Sequence, residues 1–367
     1  MDVLTQQMNS VYASIVYPNT VIKGASIVLG CSGNVLVFLV YTIWIPDRDN
    51  IRYFIPFLAV VDALGSLFQG TFYLVADIYA FIFPSDVVCR LLYFVFTSLS
   101  GISAHCLLVM ALQRFLFICR PFGRQMSLLN KRLSLVFISL ASGAYAIPLL
   151  FYSGVKEETI SFRGQNFTAF ICRVVVHVSS SSTAYVTMLF LLTLVNVILT
   201  SVLYIPVCKT MFRASKSIRT TSQRESSSVD PRQPDKSNSR NIISEEVIDG
   251  ENRDAKKVMI GKPKTNAAMS RISVMFFIVI LVYIISYIPS FIVILINHTL
   301  KEFDPLQLSD AGLNTWRFFN TTSLFNHVSN PFIYLYYDKK FRKALDKLIG
   351  RRTSKGHHSG RHLRNIE

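Results

Sequence analysis

The chain is short of charge. Charged residues make up 16% of its 367 positions, where soluble domains carry about 25%. Acids are the scarcer kind, 22 Asp and Glu against 38 Lys and Arg. Too few charges are present to coat the two or three soluble domains that this length could hold. Cysteine is sparse, and the six present match no zinc spacing. Cys31, Cys106, Cys119 and Cys208 fall in or at the ends of apolar stretches, the ordinary place for small buried residues. Residues 1–20 lack the basic and apolar regions of a cleavable signal, so the first apolar block would act as an uncleaved insertion signal. No internal repeat is visible, which argues against a transporter built from two related halves. Within the apolar blocks the ionisable residue is chiefly Asp62, too little for an intramembrane enzyme that works with paired groups. His105 and His327 show no ligand spacing and read as packed polar residues.

What is present is long apolar sequence, 51% hydrophobic overall with 28 Phe. Seven blocks reach the ~20 residues that cross ~30 Å of hydrocarbon as a helix: Val21–Ile45, Tyr53–Ala76, Val87–Ile118, Arg132–Tyr152, Ala184–Phe212, Ile272–Ile296 and Ala311–Tyr337. The expectation is an all-α membrane protein, a seven-transmembrane helix bundle over residues 21–337. The fifth block holds Thr193, Asn196, Thr200 and Ser201, and the seventh Asn320, Asn326, His327 and Asn330. Such groups face other helices or water, which gives the bundle a polar interior.

The net charge of +16 suggests nucleic acid until position is considered. With the N-terminus outside, the inner segments hold Arg48 and Arg52, then Arg120, Arg124, Lys131 and Arg132. Thirteen Lys and Arg follow from Arg213 to Arg271 and ten from Lys339 to Arg364. The outer segments hold only Lys23, Arg90, Lys156, Arg163, Arg173, Lys301 and Arg317. This is the positive-inside distribution, with N-terminus outside and C-terminus cytoplasmic. It assigns the basic excess to topology, anionic lipid and a cytoplasmic partner, not to nucleic acid.

Residues 1–20 read as an extracellular N-terminus. Residues 214–270 read as a third cytoplasmic loop, disordered at its centre, Arg224–Arg240, for want of apolar residues. Its basic ends, Arg213–Arg219 and Arg253–Arg271, continue the flanking helices. Residues 338–349 place Phe341, Leu345, Leu348 and Ile349 on one helical face and Lys and Arg on the other, an amphipathic helix on the inner membrane surface. No Cys follows it to carry a palmitoyl anchor. Residues 350–367 read as a disordered basic tail.

The motifs inside the blocks recur in one order. Gly33-Asn34 lies in the first and Asp62 closes LAVVD in the second. Cys89 opens the third and Gln113-Arg114-Phe115 closes it. Tyr204 lies in the fifth, Pro289 in the sixth, and Asn330-Pro331-Phe332-Ile333-Tyr334 ends the seventh. From about Gly24 to Leu348 the chain resembles class A (rhodopsin-like) G-protein-coupled receptors. It departs from their pattern at Gln113, usually acidic; at Phe115, usually Tyr; and at Asn196, usually Pro. The fourth block lacks the usual Trp, and Ser286-Tyr287-Ile288-Pro289 replaces CWxP.

The resemblance implies a receptor at the plasma membrane with no enzymatic activity. It transduces an extracellular ligand to a heterotrimeric G protein and is switched off by a receptor kinase and arrestin. It implies an activation switch at Gln113, Arg114, Phe115, Tyr204, Tyr287, Pro289, Asn330, Pro331 and Tyr334. Around Asp62 it sets Ser103, Asn326 and Asn330, with Asn34 nearby, a set suited to allosteric Na⁺ or else to a protonated Asp in a polar network. It implies a Cys89–Cys172 disulfide on the outer side, where thiols are oxidised. Asn166 and Asn297 stand in glycosylation sequons on that side.

A retinal pigment would need a Lys in the seventh block, and Ala311–Tyr337 has none. An amine receptor would need an acid in the outer third block, and Leu91–Leu112 has none. The outer cleft implied is Tyr73, Phe96, Thr97, Met188, Phe291, Ile294, Trp316, Arg317 and Asn320. It suits a neuropeptide with hydrophobic or amidated aromatic residues, or a small apolar chemosensory ligand. Arg317 would meet a ligand carboxylate or anchor the outer interface. With Gln113 neutral and Met269 at the usual position of a second acid, elevated basal activity is expected.

Overall fold

The computed structural model describes residues 2–45, 52–175, 177, 179–227, 262–299 and 303–348. Its helices are α1 (Val3–Leu39, continued by a π-helical turn Val40–Trp44), α2 (Ile55–Ile78), α3 (Asp86–Cys119), α4 (Leu128–Ala146) and the short α5 (Leu149–Tyr152). After a hairpin of β1 (Gly154–Phe162) and β2 (Gln165–Arg173) come α6 (Ser180–Ser227), α7 (Lys262–Thr299), α8 (Asp310–Asn320), α9 (Leu324–Tyr337) and α10 (Lys339–Leu348).

Six of the described stretches are long and apolar enough to cross a membrane. The seventh expected block is not one helix. It is α8 and α9, interrupted at Thr321–Ser323. The break has a local cause. Thr321 and Thr322 turn their hydroxyls back to the carbonyls of Arg317, Phe318 and Phe319, which competes with the helical ladder. The freed groups find a partner on α7, because Ser290 Oγ lies 3.2 Å from the Phe319 carbonyl and 3.1 Å from Thr322 Oγ1. Ser290 follows Pro289, so the irregular points of the two helices meet.

The first helix corrects the expected N-terminus. Residues 3–20 are not a separate extracellular segment but the start of α1. At 1.5 Å per residue α1 and its π turn run roughly 60 Å, twice the hydrocarbon core. One stripe is buried along it: Thr5, Met8, Asn9, Tyr12, Val16, Asn19, Lys23, Ser26, Gly30, Asn34 and Val37. Their spacing of three to four is helical. Half are polar, so hydropathy misses the extension.

The extension packs on the hairpin. Tyr12 meets Phe81 and Phe162 at ring separations of 5.1 and 6.0 Å, and Phe81 meets Phe167 at 5.2 Å. Thr5 Oγ1 donates to the Thr168 carbonyl at 2.9 Å, and Asn9 bonds the Ile78 carbonyl and the Phe81 N–H. The strands pair antiparallel through a two-residue Arg163-Gly164 turn, both with positive φ. That is the geometry matching strand twist in a tight hairpin. The hairpin fills the outer segment between the fourth and fifth apolar blocks.

Two further limits change. Helix α6 continues to Ser227, so Arg224–Ser227, expected within the disordered loop centre, is helical. Helix α7 begins at Lys262. Residues 228–261 and the tail 350–367 lie outside the described residues. Helix α10 takes the place expected for the amphipathic helix and buries Phe341 and Ala344.

Candidate functional site

Asp62 sits at the centre of the bundle on α2 and is fully buried. A bare carboxylate there would be costly, so its partners decide its state. Oδ1 accepts from Ser103 Oγ at 2.9 Å and lies 2.8 Å from His327 Nδ1. Oδ2 accepts from Asn330 Nδ2 at 2.6 Å. Asn326 donates to Ser103 instead (3.2 Å), and Asn34 donates to the Gly30 and His327 carbonyls. Two glycines admit this assembly. A Cβ on Gly65 would stand 2.8 Å from the His327 ring, and one on Gly33 2.9 Å from Pro331.

His327 thus corrects two expectations. It is no mere packed residue, and the expected Na⁺ ligands do not all face Asp62. Ser103 Oγ, His327 Nδ1 and Asn330 Nδ2 occupy the carboxylate, so a cation at Asp62 would have to displace one of them.

A second buried carboxylate lies further along α2. Asp77 Oδ2 accepts from Lys23 Nζ of α1 at 2.5 Å, and Oδ1 from Arg317 Nη2 of α8 at 2.5 Å. Lys23 is 2% exposed and Asp77 0%. Arg317 is therefore neither a lipid-interface anchor nor unpaired, and Asp62 is not the chief ionisable group of the interior. In the sequence Lys23 and Arg317 stand only as outer charges, and Asp77 carries no signal.

Beside this triad Phe96 packs on Phe72 (5.0 Å), Tyr93 (5.4 Å) and Tyr73 (6.3 Å). Phe291 packs on Phe190 and Tyr287. The expected cleft is partly assembled. Trp316 turns to Phe303 at 4.8 Å, and Met188 is 44% exposed on a groove along α6. Asn320 offers its carbonyl to Ser290 at 3.4 Å. Thr97 is half-buried on α3, and the side chains of Ile294, Asn297 and Met269 lie outside those described. Cys89 of α3 and Cys172 of β2 form a disulfide with Cα atoms 5.8 Å apart. It fastens the hairpin over the same end.

At the opposite end Arg114 of α3 is 2% exposed, and its Cζ stands 3.9 Å from the ring centroid of Phe276 on α7. Tyr204 is buried against Phe277, and Tyr334 against Tyr41. Tyr41 OH and Arg52 Nε both bond Asp338 Oδ2, at 2.8 and 2.9 Å. Asp338 Oδ1 caps α10 through Lys340 N–H at 2.8 Å. Arg52, expected only as a topology signal, therefore also joins the α1–α2 connection to α10. Asn196, in place of the usual Pro, accepts from Tyr283 OH at 2.8 Å and links α6 to α7.

The sequence matches the model of the family described as 7 transmembrane receptor (rhodopsin family) over residues 33–334. The chain belongs to that family. The receptor also resembles the crystal structure of squid rhodopsin, with TM-score 0.64 and 17% identity over 94% of this chain and 86% of the other. At that identity the likeness concerns the fold alone. No curated protein matches. The receptor is a multi-pass plasma-membrane protein that is not an enzyme and signals through ligand binding and G-protein coupling.

Proposed function

We propose that the receptor faces the outside with its hairpin end and binds there a ligand with an aromatic or apolar body. The charge asymmetry supports this orientation, since the basic loops and tail follow the other end. Both a neuropeptide and a small apolar ligand suit the aromatic cleft. The α1 extension roofs the hairpin end through Tyr12, Phe81 and Phe162, which favours a small ligand or a peptide terminus over a long peptide.

Arg114 is the coupling residue of this reading. Cation–π contact with Phe276 ties α3 to α7 and keeps the inner end closed. Pro289 lacks the N–H that would complete the α7 ladder and gives that helix its hinge. Tyr287 sits one turn of chain from the ligand-side Phe291 and reads out the cleft. When α7 swings out, Arg114 is released toward Tyr204 and Tyr334. Asn330 and Pro331 carry the shift from Asp62 to Tyr334. Gln113 and Phe115 flank Arg114. Sites for a receptor kinase and arrestin are Thr220–Ser228 and Thr353–Ser359. The exposed Asn166 beside the hairpin turn is the glycosylation site favoured here, and α10 rests on lipid headgroups.

The observation that carries the proposal is the buried Arg114 stacked on Phe276. The test is nucleotide exchange by purified heterotrimers of each class, measured with the full chain in nanodiscs. Wild type should accelerate exchange by at least one class, and Arg114→Ala should abolish the acceleration. Equal exchange by the two would overturn the reading.

A further inference from the structure

We infer that Lys23, Asp77 and Arg317 form an anion subsite that takes a carboxylate at the end of an apolar or aromatic ligand. This rests on the receptor reading and narrows its ligand class.

Two cations share one carboxylate. Asp77 Oδ1 is taken by Arg317 through Nη2 and Nε (2.5 and 3.2 Å), and Oδ2 by Lys23 and by Thr20 Oγ1 (2.5 and 3.3 Å). The acceptor is saturated, and among the described residues one positive charge stays uncompensated in a buried place. Of the described acids nearer the surface at this end, Asp86 pairs with Arg90, Glu158 with Arg173 and Asp310 with Arg163, while Asp304 accepts from Leu306 N–H and Gln307. An unbalanced buried charge is costly unless a counter-ion arrives.

Geometry says where it arrives. Lys23 and Asp77 are sealed at 2% and 0% exposure, whereas the Arg317 side chain keeps 18%. Arg317 is the face that the triad presents. Its planar guanidinium matches a carboxylate as a two-pronged donor. Tyr73 stands one helical turn before Asp77 on α2. Tyr73 and Tyr93 pack on Phe72 and Phe96, so an anion on Arg317 would have its apolar body against these rings. A purely structural clamp would need one cation for one acid. The second cation is what the clamp leaves unexplained.

Lys23 cannot touch a ligand, so it acts on one only through its charge. That makes Lys23→Met the informative variant, because it leaves a balanced Asp77–Arg317 pair. The full chain in nanodiscs is titrated by thermal unfolding with matched probes. These are 3-phenylpropionate against its amide, N-acetyl-Phe-Phe free acid against its amide, and dodecanoate against dodecanol. At least one acid should bind about tenfold more tightly than its neutral partner, the gap between charged and neutral hydrogen bonds. Preference in the peptide arm points to a peptide C-terminus, and in the dodecanoate arm to a fatty acid. Lys23→Met should shrink it to about twofold, Arg317→Gln should remove it, and Arg317→Lys should keep part of it. Absence of acid preference in all three arms, or an unchanged preference in Lys23→Met, overturns the subsite. Basal nucleotide exchange is read in the same nanodiscs. Retained exchange without acid preference sinks the subsite alone, whereas lost exchange sinks the receptor reading itself.

Discussion

Helix α2 buries two aspartates completely, and the bundle treats them in opposite ways. Asp62 is held by a hydroxyl, an amide and an imidazole. Asp77 is held by an ammonium and a guanidinium, with a threonine hydroxyl at the margin. The first arrangement is a polar network whose members sit on α2, α3 and α9. The second is an ion cluster joining α1, α2 and α8, where the extension and hairpin close the bundle. Mostly neutral hydrogen bonds lie at the centre, and ion pairs lie at the closed end.

The largest expected effect comes from the ion cluster. Asp77→Ala leaves two buried cations facing each other, and breaking a buried pair costs about 3–5 kcal/mol. Surface display of the tagged variant should collapse, and adding Lys23→Met should recover part of it. Normal display of Asp77→Ala would erase the distinction between the two acids.

Asp62→Asn should be milder for folding and harsher for signalling. An amide keeps the shape and some of the hydrogen bonds, so the loss is about 1–3 kcal/mol. Display should stay within twofold of wild type, while nucleotide exchange changes more than twofold. A collapse equal to that of Asp77→Ala would contradict the comparison.

The smallest effect concerns sodium. With His327 against Asp62, the unfolding midpoint should be the same in NaCl and choline chloride. His327→Ser puts an oxygen ligand in place of the imidazole and should create a midpoint a few degrees higher in NaCl, the scale of a ~1 kcal/mol contribution. Sodium dependence in the wild type would restore the ion-site expectation.

The sequence showed Asp62, Arg114 and the Asn330–Tyr334 run because each falls at a fixed place in an apolar block, and it paired Cys89 with Cys172 by resemblance. It hid the Lys23–Asp77–Arg317 cluster because the partners are 54 and 240 positions apart and each alone looks like a topology charge. The α1 extension escaped because Thr5, Asn9 and Asn19 interrupt its apolar stripe. The hairpin did carry a signal: β-branched and aromatic residues flank Arg163-Gly164, a two-residue turn. His327 looked like packing because its partner lies 265 positions away.

The most direct test is basal nucleotide exchange by two variants on opposite sides of one contact. Gln113 is not the acid that restrains Arg114 in the family pattern, and the Arg114 guanidinium stands over the Phe276 ring. A cation–π contact gives about 0.5–2 kcal/mol. Phe276→Leu should therefore raise ligand-free exchange about two- to thirtyfold at matched receptor density. Gln113→Glu should lower it below wild type, because a charge-assisted bond replaces a neutral one. Opposite shifts are the predicted result. Exchange that is unchanged in both, or that moves in the same direction, would contradict the claim that Arg114 is the element holding the receptor closed.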